Sequence, residues 1–309
     1  MIYDVYHDES KEEAFWHAFL FIPKASREEI LDYLKKARLI NDFKGKRLSF
    51  KILKSNSSFN CAKSWLSILV SAFQQGKKDK LEYFCFGKTK YDRTTHTKSP
   101  LLKQFSKPPK CKIAIFHLKH GHRDMEHHHD DLSKIETTFR MGLQGAAHYL
   151  FNKENPLEIE NIFLDREKHY RIGYKRDFNK GKVLERLSAN FRDYCLLCPN
   201  CKVFGEELRE GDTLFLDLAD IILGTFRFGI LNPYCTKYKN EKEQKKSDMC
   251  KLFLPLVKRL RKGYSRMQNS RFVNFGTFSS AWIENGEWRF ENLSQKYLVC
   301  PVIENLKLF

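Results

Sequence analysis

The chain has 309 residues, of which 42% are hydrophobic and 14% aromatic, and its formal net charge is +17. This apolar content excludes an intrinsically disordered chain, and no apolar run approaches the roughly 20 residues that a membrane-spanning helix needs. Nine cysteines and an N-terminus without signal-peptide character favour a soluble protein of the reducing cytoplasm, where disulfides are not expected.

The first half of the chain alternates apolar runs with polar segments, and the periodicity predicts both strands and helices. Ser26 and Glu29 form a capping-box pattern that predicts the start of the first helix, and Gly76 predicts the end of the second. The expected strands are 1–7, 14–22, 46–53, 80–88 and 112–118, and the expected helices are 25–38 and 61–76. We expect an acidic turn between the first two strands and a basic loop over residues 88–111.

The second half predicts strand–helix units followed by a hairpin. The expected strands are 159–165 and 202–204, and the expected helices are 132–152, 182–195 and 213–229. Residues 251–271 are basic and predicted to be helical in their first half, and Asn285-Gly286 predicts a tight β-hairpin turn. An early meander of strands followed by strand–helix units indicates an α/β fold.

Two segments, 76–112 and 236–271, carry the whole positive surplus, so the rest of the chain is neutral in sum. Such clustering favours a nucleic-acid partner, RNA or DNA, and not a membrane; the alternative is that Lys-rich loops keep the protein soluble. In the second segment, basic residues around Tyr264 suit contact with a nucleic-acid strand, and a surface for a protein partner is the competing interpretation. These residues are Lys258, Arg259, Arg261, Lys262 and Arg266.

Four aspartates stand at the ends of apolar elements or inside them. Asp8 follows the first strand, Asp165 ends strand 159–165, and Asp217 and Asp220 share one face of an apolar helix. A carboxylate in such a helix needs a partner or a metal, and carboxylate oxygens are the ligands of Mg²⁺ and Mn²⁺. These aspartates are therefore the predicted ligands of a divalent-metal site of the kind that cleaves phosphodiesters. The alternative is that each one caps a helix or stabilises a turn.

The acidic motifs resemble a known family. "YHDES" before a second strand, "FLDRE" at a strand end and "LDLADIILG" in a late helix resemble the RNase H-like proteins catalogued as domain of unknown function 3800. The order and broad spacing of these motifs agree over residues 1–229. The resemblance implies an RNase H-like mixed sheet flanked by helices, divalent-metal-dependent nuclease activity, and a defence or mobile-element context.

The resemblance also implies residue roles. It gives catalytic roles to Asp8, Glu9, Asp165 and Asp220, with Glu9 or Asp217 as a secondary ligand. The chain departs from the family at Asp217, where the family usually has Gln. It also lacks an acid in the predicted strand 46–53, where such nucleases commonly supply a Glu ligand. Either Glu9 or Glu136 replaces this ligand, or the site binds a single metal. The alternative function is a non-catalytic nucleic-acid-binding or effector module.

Residues 1–229 are the predicted catalytic core, with a basic and His-rich insertion at about 88–131. Residues 230–309 are the predicted C-terminal addition, a basic helix and a β-hairpin packed on the core. In the insertion, the group around His120 and His122 either binds Zn²⁺ or Mn²⁺, supplies a general base to the acidic site, or forms an exposed polar loop.

A Cys-Pro-Asn-Cys segment looks like a zinc knuckle. Cys198 and Cys201 would bind a structural Zn²⁺ together with Cys235 and Cys250. The alternative is a helix end whose cysteines pack inward as small hydrophobic residues.

Overall fold

A central sheet built around the first strand organises the protein. The computed structural model describes residues 1–12, 14–73, 111–120, 125–126, 128, 130–165, 178–205, 208, 210–231, 240–250, 275–278, 280–284 and 287–291. The strands are β1 (Ile2–Ser10), β2 (Ala14–Pro23), β3 (Lys112–Lys119), β4 (Leu157–Leu164), β5 (Cys195–Phe204), β6 (Phe275–Phe278), β7 (Ser280–Glu284) and β8 (Glu287–Glu291). The helices are α1 (Arg27–Ile40), α2 (Asn56–Phe73), α3 (Asp131–Leu150), α4 (Lys180–Asn190) and α5 (Glu210–Leu231), with 3₁₀ turns at Lys24–Ser26 and Phe50–Ile52 and helical residues at 241–250.

The sheet is mixed, with the strand order β5-β4-β1-β2-β3-β6. β1, β2 and β3 form an antiparallel meander, while β4 is parallel to β1, β5 is parallel to β4 and β6 is parallel to β3. β7 and β8 form a separate hairpin. The predicted α/β class is therefore confirmed, since helices lie on both faces of this sheet.

Two apolar cores lie on the two faces of the sheet, because side chains alternate along each strand. Tyr6 of β1 packs in one core with α1, α2 and α5, and its neighbour Val5 packs in the other with α3 and α4. Burial on both faces explains why β1, β2 and β3 are apolar almost throughout. We refer to these faces as the α5 face and the α3 face. Among the described helices, none combines the length and hydropathy of a membrane-spanning segment.

Several predicted elements are confirmed with shifted ends. β1 continues to Ser10, so Asp8 and Glu9, which were expected in the acidic turn, belong to the strand. α2 begins at Asn56, five residues earlier than expected, and α4 ends at Asn190 because the chain turns there into β5. The predicted strand 202–204 is the last part of this longer strand, and the hairpin pairs Glu284 with Glu287 around the predicted turn.

One predicted helix start is confirmed and one predicted strand is wrong. Ser26 is the N-cap of α1, as the capping-box pattern predicts, although its side chain makes no capping hydrogen bond. Residues 46–53 are not a strand: the chain is extended up to Ser49 and then forms the turn Phe50–Ile52. The predicted strand 80–88, the stop at Gly76 and the predicted helical part of 251–271 lie outside the described residues.

Candidate functional site

Asp8 and Asp165 lie at the same end of two neighbouring parallel strands. His7 is opposite Leu164 in the β1–β4 pairing, and the backbone N–H of Asp165 donates to the His7 carbonyl at 3.2 Å. Asp8 is 2% exposed and lies opposite Ala18, a residue of the core on the α5 face. Residues paired across antiparallel strands share a face, so Asp8 belongs to the α5 face.

Asp217 and Asp220 reach the same region from α5. Asp217 Oδ2 accepts a hydrogen bond from the backbone N–H of Leu48 at 2.8 Å, and Asp220 Oδ2 accepts one from Phe50 at 2.9 Å. Alternate N–H groups of an extended segment point in the same direction, and residues three apart on a helix lie on one face. The two aspartates therefore hold the chain from Leu48 to Phe50 against α5. They accept the backbone N–H groups that would bond to a neighbouring strand in a sheet.

Arg47 joins the end of β4 to α5. Its Nε donates to Asp217 Oδ1 at 2.6 Å, and its two terminal nitrogens donate to the two oxygens of Asp165 at 3.2 Å each. The side chain of Arg47 is 40% exposed, whereas Asp217 is fully buried. One guanidinium thus neutralises two carboxylates from separate elements, with its outer side in contact with solvent.

Burial and charge have opposing effects in this cluster. Burial raises the pKa of Asp217 to about 6, against the opposing effect of the Arg47 charge and the Leu48 N–H. Burial alone would lower the pKa of Arg47, but its hydrogen bonds and charge interactions with Asp165 and Asp217 raise it above its ordinary value. Arg47 therefore stays charged, as arginine does in proteins generally.

Asp212, earlier on α5, belongs to a different cluster. Its carboxylate accepts from the Tyr6 hydroxyl at 2.9 Å and from Arg27 at 2.6 Å. Buried polar groups in this arrangement satisfy one another, so this cluster joins α1, β1 and α5 as a structural network.

The predicted acids do not all meet. Asp165, Asp217 and Asp220 are connected through residues 47–50, and Asp8 lies on the same face. Glu9 lies opposite His17, whose ring contacts Thr138 of α3, so Glu9 belongs to the α3 face. The other predicted substitute, Glu136 on α3, accepts the backbone N–H of Asn179 at 2.7 Å. Across the described ranges, no three His, Cys, Asp or Glu side chains are grouped so that they could hold a metal ion.

The Cys-Pro-Asn-Cys segment is a bulge in β5. Leu197 and Lys202 pair with β4 residues two positions apart, so residues 198–201 are looped out opposite Glu160. Burial raises the pKa of the Cys201 thiol to about 12, and the nearby Cys198 thiol adds to the shift. The prediction that this segment lies at a helix end is therefore wrong, since it is part of a strand.

The other two predicted zinc ligands do not join this bulge in the described structure. Cys250 donates its thiol to the Thr225 carbonyl at 3.1 Å, in the second half of α5. Cys198 lies near Glu158 and Lys24, at the opposite end of the sheet from the aspartates. Cys235 lies outside the described residues.

The described part of the His-rich segment lies mainly on the α3 face. The ring of His120 packs on Phe15 with ring centroids 4.7 Å apart, and both line a cavity of about 300 Å³ with His128. Phe15 belongs to the core on the α3 face, so this cavity and the aspartates lie on opposite faces. His117 packs on Trp16 on the α5 face, two strands away from Asp8. His122, His127 and His129 are outside the described residues.

The predicted strand-binding residues are also outside the described ranges. They are Lys258, Arg259, Arg261, Lys262 and Arg266.

Arg47 is the residue of the cluster that the sequence did not indicate. It lies in "KGKRLSF", where basic residues are typical of exposed loops, and its partners are 118 and 170 positions away. The chain matches no known protein-family model, no curated protein and no solved structure.

Proposed function

We propose that this protein is a divalent-metal-dependent nuclease with an RNase H-like fold, which hydrolyses phosphodiester bonds of nucleic acid. The observation that carries the proposal is that Asp8 and Asp165 lie at the same end of two neighbouring parallel strands, while Asp217 of α5 shares the Arg47 guanidinium with Asp165. Carboxylates gathered from separate elements are costly unless a cation neutralises them. The antiparallel meander followed by parallel strands supports the same proposal, because the family resemblance implies such a sheet.

The donor set fits a hard divalent cation. Every side chain in question is a carboxylate, and Mg²⁺ and Mn²⁺ prefer oxygen ligands over nitrogen or sulfur. The cluster already accommodates a positive group, since the Arg47 guanidinium lies between Asp165 and Asp217. Because these carboxylates already bind the positive guanidinium, their negative charge also suits a metal ion.

In this proposal Asp8, Asp165 and Asp220 hold the metal, and Asp217 is a further ligand. When bound, the metal supplies an activated water and neutralises charge that develops on the phosphate. The backbone N–H groups of Leu48 and Phe50 each hold one oxygen of Asp217 and Asp220, which limits the orientations of these carboxylates. Glu9 has no role here because it lies on the other face of the sheet.

The partner in this proposal is nucleic acid, on the ground that the chain concentrates its +17 charge in two segments. Lys and Arg in such segments neutralise backbone phosphates and make binding depend steeply on salt. A structural Zn²⁺ at Cys198 and Cys201 is not part of the proposal.

The test is cleavage of labelled single- and double-stranded RNA and DNA by the full chain with Mg²⁺ or Mn²⁺. We expect cleavage that chelator abolishes and that Asp8→Asn and Asp220→Asn reduce by about 100-fold or more. Asp32→Asn, on the exposed surface of α1, is the matched control and keeps wild-type activity. If wild type and variants bind nucleic acid equally and none cleaves it, the protein is a binding module instead of a nuclease.

A further inference from the structure

The Arg47 guanidinium lies between the carboxylates of Asp165 and Asp217. We infer that Arg47 is an exchangeable internal counter-ion, which holds Asp165 and Asp217 together in the metal-free protein and leaves them when a divalent cation binds. This inference rests on the proposed function, and it adds a positioning residue that controls the metal affinity of the same site.

The carboxylate oxygens divide into two groups. Asp217 Oδ2 and Asp220 Oδ2 accept backbone N–H groups, which cannot leave unless the chain moves. Asp217 Oδ1 and both oxygens of Asp165 accept hydrogen bonds from Arg47. The oxygens that bridge β4 and α5 are therefore the ones that the guanidinium covers.

A guanidinium and a divalent cation cannot use these oxygens together. Both are positive, and at contact distance in a partly buried site their repulsion is large. A cation that binds Asp165 and Asp217 must therefore displace Arg47, and the energy of the Arg47 contacts is subtracted from the binding energy of the metal.

The geometry allows this exchange without unfolding of the segment. Arg47 is 40% exposed and its contacts with Asp165 are long, at 3.2 Å, so its side chain has a route to solvent. The bonds from Leu48 and Phe50 hold the backbone on α5 during the change. The exchange thus requires rotation of the Arg47 side chain and adjustment of the carboxylates around the cation, but no displacement of the backbone.

The first test is Mn²⁺ binding by the full chain, measured calorimetrically at pH 8 for wild type, Arg47→Gln and Arg47→Lys. We expect Arg47→Gln to lower the dissociation constant about tenfold or more, as loss of a competing charge-assisted pair implies. Arg47→Lys, which keeps the charge without the two-pronged contact, should give an intermediate value. Arg192→Gln is the control, because Arg192 donates to the Tyr194 hydroxyl at 3.1 Å, just before β5 and away from the cluster, so its loss leaves the affinity unchanged.

The second test observes the exchange directly. The Nε–H signal of Arg47 in ¹⁵N-labelled wild type should shift on titration with Mg²⁺, while that of Arg192 stays in place. If Arg47 has only a structural role, Arg47→Gln should bind Mn²⁺ as tightly as wild type or more weakly, and the Nε–H signal of Arg47 in wild type should not shift. This result would overturn the inference but leave the proposed metal site in place. If neither wild type nor Arg47→Gln binds Mn²⁺, the proposed metal site itself is wrong.

Discussion

The backbone N–H of Leu48 and the side chain of Asp217 are joined by a hydrogen bond of 2.8 Å, although 169 positions separate them in the sequence. With the equivalent bond from Phe50 to Asp220, it fastens the chain between α1 and α2 onto a helix near the other end of the described core. The same carboxylates that we propose as ligands are therefore also structural, and their substitution has two separable effects.

Asp217→Ala should destabilise the fold as well as the proposed site. The change leaves the Leu48 N–H and one Arg47 donor without their acceptor, at a cost of about 1–3 kcal/mol in the free energy of unfolding. Denaturant unfolding followed by circular dichroism measures this cost. Asp32→Ala, which removes an exposed carboxylate paired with Lys36, should change stability by less than about 0.5 kcal/mol. Equal stability of the two variants would contradict the structural role of Asp217.

Gly224→Ala should displace the segment that carries Arg47. A Cβ at position 224 of α5 would overlap the ring of Phe50, which lies directly against the helix. Overpacking of this kind costs about 1–3 kcal/mol, and it outweighs the roughly 1 kcal/mol that alanine contributes in a helix. We expect a lower unfolding midpoint and faster hydrogen exchange at the Phe50 amide.

Gly181→Ala on α4 is the matched control. A Cβ there meets only the Asn179 side chain, at an ordinary distance of 3.9 Å, so stability should be unchanged or slightly higher. Destabilisation by both variants to the same extent would show that the close contact between Gly224 and Phe50 has no special importance.

Acid should destabilise the protein through two buried histidines. His7 and His17 are bonded to each other at 2.8 Å, and burial lowers the pKa of His7 well below 6.5 and that of His17 to about 3. The unfolded chain therefore binds more protons below pH 6.5, and the stability that neutral histidines contribute is lost as pH falls toward 3. Each histidine contributes a slope of about 1.4 kcal/mol per pH unit well below pH 6.5.

Asp217 changes the unfolding free energy in the opposite direction as pH falls, but it does not cancel the effect of the histidines. Burial raises its pKa from 3.8 to about 6 and also raises the pKa of Asp4, so protonation of these two carboxylates favours the folded state as pH falls. Three histidines oppose them, because burial also lowers the pKa of His148, to about 4. Unfolding free energies between pH 7 and 4.5 should therefore decrease, and His17→Gln should remove about one histidine's share of the slope. A stability that is constant or rises on acidification is incompatible with this account.

The thiols of the β5 bulge should react slowly. Burial raises the pKa of Cys198, and the negative charges of Glu158 and Glu160 raise it further. Alkylation of the Cys198 peptide by iodoacetamide at pH 7.4, followed by mass spectrometry, should be slower than that of free cysteine. Glu160→Gln should accelerate the reaction, and Glu154→Gln, on an exposed turn, should not. A rate equal to that of free cysteine would rule out this electrostatic effect.

Periodicity in the sequence predicted most of the sheet and the helices that cover it. β1, β2 and β3 are apolar runs, and α3 and α5 have long apolar faces, so each has a strong local signal. The sequence also indicated that Asp220 is a candidate site residue, because a carboxylate inside an apolar helix is costly without a partner.

Residues 46–53 show why the segment beside the aspartates was not predicted correctly from the sequence. Leu48 and Phe50 alternate with polar residues and are both buried, which is the pattern of a strand with one buried face. Their N–H groups bond to carboxylates of a distant helix, so the strand-like pattern occurs without a neighbouring strand. The contacts of Arg47 have no local signal either, since they depend on how β4 and α5 come together in the fold.

The bulge in β5 has a consequence for the behaviour of the protein at high concentration. β5 lies at one end of the described strand order, and an edge strand offers its backbone groups to a strand of another molecule. The loop at residues 198–201 interrupts this ten-residue strand, leaving two short stretches where an incoming strand could pair. Pro199 has no N–H to offer, so the edge is poorly suited to seed aggregation.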